Sequence, residues 1–361
     1  SEAKKSDGSK TKTIRGIPKL IDANFAGTKL SDQCTLILCE GDSAKAGIVS
    51  GLSKDDRNIF GVYHLRCNLI IVRGEKPIKV AENNEITEIK KILGLEILKE
   101  YANIEEVHKC LRYSRVVFMT DHGISHIRGK QYLYEEGVRV PLIIAGPGID
   151  GGGQRDDMVE HIDITPTSLA LADLEIPVWM QARDILSGDY EHRSEVFSAR
   201  DRCDETVEHM RSVRTDRYKY IRNYLPERPH LQPNAYKDNK AIMISFRQAG
   251  EDGSLTKVQR TLLAPVRPEE ELYDLSRDRH EIRNLAGKAK YADVLNDMRK
   301  RLLDWEQETG DQGVHSESPE MFDSDMQVYI DTLEKRRQDP KRLAEIKSNI
   351  ELMKRWAAEG K

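Results

Sequence analysis

The chain has 361 residues, room for two domains at roughly 150 residues each. Charged residues make up 33% and the hydrophobic set 38%, as in soluble proteins, and a formal net charge of −4 singles out no class of partner. No apolar run approaches the ~20 residues that cross a bilayer, so no membrane partner is expected, and SEAKKSDGSK lacks the apolar core of a secretory signal, which points by default to cytoplasm or nucleus.

Residues 1–16 are rich in Lys, Ser, Gly and Thr and read as a flexible basic lead-in. CTLILC (34–39) has the length and β-prone composition of a buried strand, and AKAGIVSGL after it reads as a helix. IFGVYHL and NLIIV read as further strands. EITEIKKILG (85–94) carries apolar residues at 86, 89, 92 and 93, a helical period, and IEEVHKCL reads as a second helix. RVVFMTD (115–121) is another buried strand that ends on an acid. VPLIIAGPGI follows as a strand closed by Gly and Pro, and Asp163 is placed to cap a helix over ITPTSLALADL. VRTDRYKYIRN alternates like a hairpin, EELYDLSRDRHEIRNLAG is a strand and then turns, and YADVLNDMRKRLLDWEQ is an amphipathic helix. In the charged tail, Pro340 separates two helical runs, the second with apolar residues at 343, 346, 350, 353 and 356 on one face, a pattern for packing on the domain. Strands alternating with helices predict α/β domains around largely parallel sheets. The five cysteines, Cys34, Cys39, Cys67, Cys110 and Cys203, show neither CxxC spacing nor a disulfide framework.

Two apolar strands each deliver a carboxylate at the C-terminal edge, Glu40 and Asp121. Ligands gather at that edge of an open α/β sheet, and a carboxylate beside a Gly suits Mg²⁺. The same spacing fits a simpler arrangement, in which Asp42 or Ser43 caps the following helix. Asp121 and His122 together offer one oxygen and one nitrogen ligand, and Lys130, a short loop later, offers a cation to an anionic substrate. Gly123, Gly129 and Gly137 permit tight loops; the alternative here is a polar loop with a solvated lysine and a surface histidine.

PKLIDANFAGT (18–28), CTLILCEGDSAKAGIVSGL (34–52), ENNEITEIKKILGLE (82–96) and LRYSRVVFMTD (111–121) resemble, in order and spacing, the TOPRIM region of eukaryotic and large-DNA-virus type II DNA topoisomerases. The resemblance implies a Rossmannoid parallel sheet, Mg²⁺ and a DNA partner. It makes Glu40 the catalytic acid/base and metal ligand, Asp121 the first acid of a DxDxD element, and Arg66 a residue near DNA. The sequence departs from that pattern. The DxDxD element reads Asp121-His122-Gly123-Ile124-Ser125, and the PLRGK word reads His64-Leu65-Arg66-Cys67-Asn68. Without the family's ATPase region and its DNA-linking tyrosine, strand passage is not expected.

From Asp121 to about Gly313 the chain resembles the C-terminal part of a type I sulfatase, most like bacterial heparan-N-sulfatase-like members. GVRVPLIIAGPGI (137–149), VEHIDITPTSLALADLEIP (159–177), RDRCDETVEHMRSVRTDRYKYIRN (200–223) and ELYDLSRDRHEIRNLA (271–286) carry the likeness. It implies an alkaline-phosphatase/sulfatase-like α/β fold, Ca²⁺ at Asp121 and His122, and a sulfated small molecule or glycan held by Lys130, with His126 in the same loop. Arg200 and Arg202 lie in a stretch that can face substrate, although salt-bridging is the role expected of them. The Cys/Ser-x-Pro-x-Arg nucleophile word occurs nowhere in the chain. The expected divisions are therefore 1–16, a TOPRIM-like 17–120, a sulfatase-like 121–313 and a helical tail 314–361. The expected chemistry is a fusion of incomplete enzyme parts retaining at most divalent-metal binding, with RVVFMTD, a word common to both families, as the seam. If the two parts share a sheet across it, that sheet is mixed.

Overall fold

A computed structural model describes residues 14, 16–65, 82–96, 99–120, 122–146, 149, 152–313, 315 and 317–361, with the backbone alone for residues 41–44 and 47. The basic lead-in, NLIIV, Arg66 and Asp121 lie outside the described residues, apart from 14 and 16 of the lead-in. The chain divides into two compact units. One comprises Ser1–Asp121 with Val140–His192, and the other His122–Arg139 with Arg193–Lys361. Residues 140–192, which carry sulfatase-like words, thus belong to the unit that holds the TOPRIM-like strands.

The first unit is built on a five-stranded sheet in the order β1-β3-β2-β4-β5. Its strands are β1 (Leu20–Ile21), β2 (Thr35–Glu40), β3 (Phe60–Leu65), β4 (Arg115–Met119) and β5 (Leu142–Ala145). β2 pairs in parallel with β3 and β4, and the edge strands β1 and β5 are antiparallel to their neighbours. Both pairing directions occur in this sheet, and β5 from beyond the seam supplies its last strand. β2 is central, so both of its faces are covered, and this is why it reads as an unbroken apolar run rather than an alternating one. Leu36 and Leu38 pack with Tyr63, Tyr113 and Ile92 of helix α2 (Asn84–Leu93). Ile37 packs on the opposite face with Ile59 and Phe60, against Ile48 and Leu52 at helix α1 (Gly41–Gly51) and its end. Helix α3 (Ile104–Cys110) starts on Asn103, whose side chain accepts from the Glu106 N–H, and α2 starts on Asn83 in the same way.

Asp163 sits at the N-cap of helix α4 (Ile164–Leu171) but makes no capping bond to it. Its carboxylate accepts instead from the N–H groups of Glu160 and Arg183. The side chain is fully buried; the Glu160 bond is half of a capping box on the 3₁₀ turn His161–Asp163 that leads into α4, and the Arg183 bond ties in a more distant loop.

The second unit holds an antiparallel sheet in the order β6-β7-β8-β9. Its strands are β6 (Glu195–Cys203), β7 (Thr206–Thr215), β8 (Tyr218–Asn223) and β9 (Glu270–Asp274). The hairpin read in VRTDRYKYIRN forms: β7 and β8 are joined by the two residues Asp216-Arg217, and so short a link permits only an antiparallel pair. Val213, Tyr220 and Leu272 on one face pack on Leu295, Met298 and Leu302 of helix α7 (Ala292–Thr309). Met210, Ile221 and Tyr273 on the other face pack on Tyr132, Leu133 and Tyr134, and on Met243 and Phe246 of helix α6 (Ala241–Glu251). Helix α5 (Ala235–Asp238) is a single turn that precedes α6. The tail forms helices α8 (Pro319–Lys335) and α9 (Pro340–Ala358), which close over Val207 and Ala235 through Phe322, Met326, Ile346 and Ile350. This is the packing role that the apolar stripe predicted.

A candidate anion-binding site on the loop His122–Arg139

Glu40 stands at the C-terminal end of β2, paired in register with Leu65, and is the N-cap of α1 without a capping side-chain bond. The helix begins at Gly41, so Asp42 and Ser43 fall inside its first turn and neither is the cap. Among the described residues no three His, Cys, Asp or Glu side chains converge on a point where a metal would sit. Arg66 and Asp121 lie outside those residues, so Glu40 is the one described member of the expected TOPRIM set, at the sheet edge where such a carboxylate belongs.

The loop from His122 to Arg139 closes on itself. The Gly123 N–H donates to the Gly137 carbonyl at 2.8 Å, and the Lys130 N–H to the Ile124 carbonyl at 2.9 Å. A Cβ at Gly123 would lie 1.8 Å from the Glu136 carbonyl oxygen, and one at Gly137 2.2 Å from that of Tyr132. These glycines are needed for close backbone approach. His122 opens the loop with Nδ1 2.8 Å from the Gly123 carbonyl oxygen, and His126 is exposed.

Lys130 is half-buried, with its ammonium 4.7 Å from the centre of the Tyr236 ring. Lys240 approaches the same ring at 4.2 Å and donates to the Ser125 hydroxyl at 2.6 Å. The Ser125 hydroxyl in turn donates to the Tyr236 oxygen at 3.2 Å. Burial works against ionisation of that phenol, yet the Ser125 bond and the ammoniums of Lys240 and Lys130 set it below its ordinary value. Next to Lys130, Gln131 adopts φ +79°, a left-handed conformation uncommon for a non-glycine residue. It is pinned there. Arg200 donates to its carbonyl, while its own amide donates to the Cys203 sulfur at 3.1 Å and the Asn234 oxygen at 3.2 Å. Beneath the loop, Lys237 is buried over the Tyr132 ring and donates to the Ile127 carbonyl; burial, with Arg200 nearby, brings its ammonium down to about 7.

Of the two arginines flagged from sequence, Arg202 is held by Glu317 at 3.1 Å and by Asp325, a structural pairing. Arg200 makes no ion pair among the described residues; it serves the loop backbone, and its charge also acts on the buried Glu208. Tyr236, Lys237 and Lys240 were not singled out from sequence. The one available signal is the i, i+4 spacing of Tyr236 and Lys240, and nothing local ties those residues to Lys130.

Residues 122–240 match the family model "N-sulphoglucosamine sulphohydrolase, C-terminal". The chain carries sulfatase homology and topoisomerase II homology together. The ulvan-active sulfatase of Formosa agariphila is 33% identical over 199 residues, 54% of this chain and 33% of that protein. DNA topoisomerase 2 of Pisum sativum is 48% identical over 130 residues, 36% of this chain and 8% of that protein. The chain therefore spans a third of the sulfatase and a small part of the topoisomerase. A solved structure of the Plasmodium falciparum topoisomerase II DNA-binding, cleavage and re-ligation domain is 44% identical over 29% of this chain and 14% of that one, with a TM-score of 0.27. The loop that carries Lys130 thus opens the sulfatase-like part, and α5 and Lys240 lie at the far end of the matched stretch.

Proposed function

We propose that the chain binds sulfated sugars, or related sulfate monoesters, at the loop His122–Arg139 without hydrolysing them. The observation that carries this reading is Lys130. It is the residue that the sulfatase resemblance assigns to the sulfate, it stands half-buried on the Tyr236 ring, and it has no ion-pair partner among the described residues. A part-buried ammonium presented in this way favours an oxyanion. Hydrolysis by the type I route needs the nucleophile of Cys/Ser-x-Pro-x-Arg, which the 361 residues do not contain, and grip without a nucleophile gives binding.

Metal binding belongs to the same proposal in a lesser role. Glu40 would hold Mg²⁺ on the first unit and His122 would stand beside Ca²⁺ on the second, the roles that the two resemblances imply. A bound divalent ion would neutralise anionic charge. For the first unit, topoisomerase homology supports DNA as a partner. Replacement of the second and third acids of DxDxD by Gly123 and Ser125 argues against cleavage chemistry there.

The test is calorimetric titration with a monosulfated N-acetylglucosamine and its unsulfated parent, beside an assay of aryl sulfate turnover. The expected result is binding of the sulfated sugar alone, lost in Lys130→Ala, with no turnover. Equal binding of both sugars, or turnover by the parent chain, would overturn the proposal.

A further inference from the structure

Four basic side chains gather on two tyrosine rings in the second unit: Lys130 and Lys240 on Tyr236, Lys237 and Arg200 on Tyr132. None of the four has an ion-pair partner among the described residues. Asp238, on the same helical turn as Lys237, is taken by Arg247 at 2.7 Å. The Arg200 Nε is buried and has no hydrogen-bond partner.

Lys240 makes this excess of positive charge sharper. It is the N-cap of α6, and its side chain gives that helix no capping bond. Caps are normally residues that accept hydrogen bonds, and a helix N-terminus favours negative charge. A lysine there is wrong on both counts for stability alone. The Lys240 ammonium turns instead to Ser125 and to the Tyr236 ring that it shares with Lys130.

We propose that Lys240 is a second ligand-binding ammonium, which with Lys130 clamps one tetrahedral oxyanion across Tyr236. The proposal rests on the sulfated-sugar reading and deepens it. The two ammoniums lie 4.7 and 4.2 Å from one ring centre, and a tetrahedral anion bonds both where they stand within about 8 Å of each other, two charge-assisted bonds and one O···O edge. The Lys240 donors serve the Ser125 hydroxyl and carbonyl and the Tyr236 oxygen, and the bond to the carbonyl, at 3.4 Å longer than the 2.6 Å bond to the hydroxyl, is the one a ligand oxygen would replace. Tyr236 fixes the positions of both cations by its ring face, and Ser125 fixes Tyr236. The ligand class is a sugar bearing a sulfo group; a phosphate monoester offers the same oxygens with more charge.

The experiment titrates the full chain with a monosulfated sugar, the corresponding sugar phosphate and inorganic sulfate, at low and high salt. It compares the parent with Lys130→Ala, Lys240→Ala, Lys240→Gln and Lys240→Arg, with a thermal melt on each variant. Lys240→Ala and Lys240→Gln are each expected to weaken binding about tenfold and to flatten its salt dependence, and Lys240→Arg to recover it to within about threefold. Glutamine keeps a donor for Ser125 without the charge. If Lys240→Gln binds like the parent while Lys130→Ala does not, Lys240 is only a tether for Ser125; the clamp is then wrong and the sulfated-sugar reading survives. If the sugar phosphate alone binds, and depends on both lysines, the clamp stands and the sulfate reading falls. If the parent binds none of the three, both fall.

Discussion

The carboxylate of Glu208 and the guanidinium of Arg267 face each other with both side chains 1% exposed. Burial pushes the Glu208 carboxyl up, but Arg267 and Arg200 outweigh it and hold the group at about 2. Gln232 and the His209 N–H supply its remaining bonds. The pair lies under the sheet face that carries the Lys130 loop, so the site rests on a buried charge that must stay matched. Removing the cation alone is the severe change. Arg267→Met is expected to cost about 3–5 kcal/mol in a denaturant melt, because it strands a buried carboxylate. Adding Glu208→Leu is expected to recover much of that loss, and a single-variant cost below about 1 kcal/mol would contradict the account. The depressed carboxyl gives stability that is present above its unfolded value near 4.5 and is lost as pH falls toward about 2.

Glu281 titrates in the opposite sense. It is 1% exposed, takes the Glu135 N–H at 2.8 Å, and lies 3.7 Å from the Lys219 ammonium. Burial raises its carboxyl to about 7, against Lys219, which lowers it. The folded state therefore binds this proton more tightly than the unfolded chain does. The associated stability is complete below about 4.5 and is lost as pH rises through about 7. Glu281→Gln should be the more stable chain at pH 8 relative to its own stability at pH 5, with a change in the difference on the order of 2–3 kcal/mol. Parallel pH profiles of parent and variant would count against it.

Gly61 in β3 has no space for a methyl group. A Cβ there would lie 2.1 Å from the Tyr113 hydroxyl oxygen, which donates to Asp22 at 2.5 Å and accepts from the Ala23 N–H at 2.9 Å. Gly61→Ala must displace that buried ring. The expected cost is about 1–3 kcal/mol in a chemical melt, as for other overpacked cores.

β5 and α4 belong to the first unit although they follow the Lys130 loop in sequence. A chain ended at residue 121 would leave Val116–Met119 without its antiparallel neighbour and Ile37 without Ala172 on its face. Exposed edges and apolar faces bind dye and aggregate. The truncated chain is expected to bind anilinonaphthalene sulfonate strongly and to melt broadly, and the full chain to do neither.

Much of the fold is legible in the residues because it is local. CTLILC, RVVFM and EITEIKKILG form the strands and helix that their periods predict, since burial on both faces demands an unbroken apolar run and burial on one face of a helix demands a stripe. The three glycines and Lys130 mark a tight loop with a presented cation for the same reason: backbone clearance is a property of the residue itself. Where reading by proximity failed, distant partners had competed for a side chain. Asp163 makes no capping bond to α4; it closes a capping box with Glu160 on the 3₁₀ turn before that helix and takes the N–H of the more distant Arg183.

Sequence alone determined the strands, the helices, the glycine loop, the presence of Lys130 and the absence of a sulfatase nucleophile word, all of which depend on residue type and short spacing. Tertiary structure alone decided that β5 completes a sheet begun before the seam, and that Lys240 meets Ser125 from 115 residues away to share one ring with Lys130. Local propensity carries no information about which distant surfaces meet. That choice follows from the packing of whole elements, which burial and hydrogen-bond satisfaction settle together.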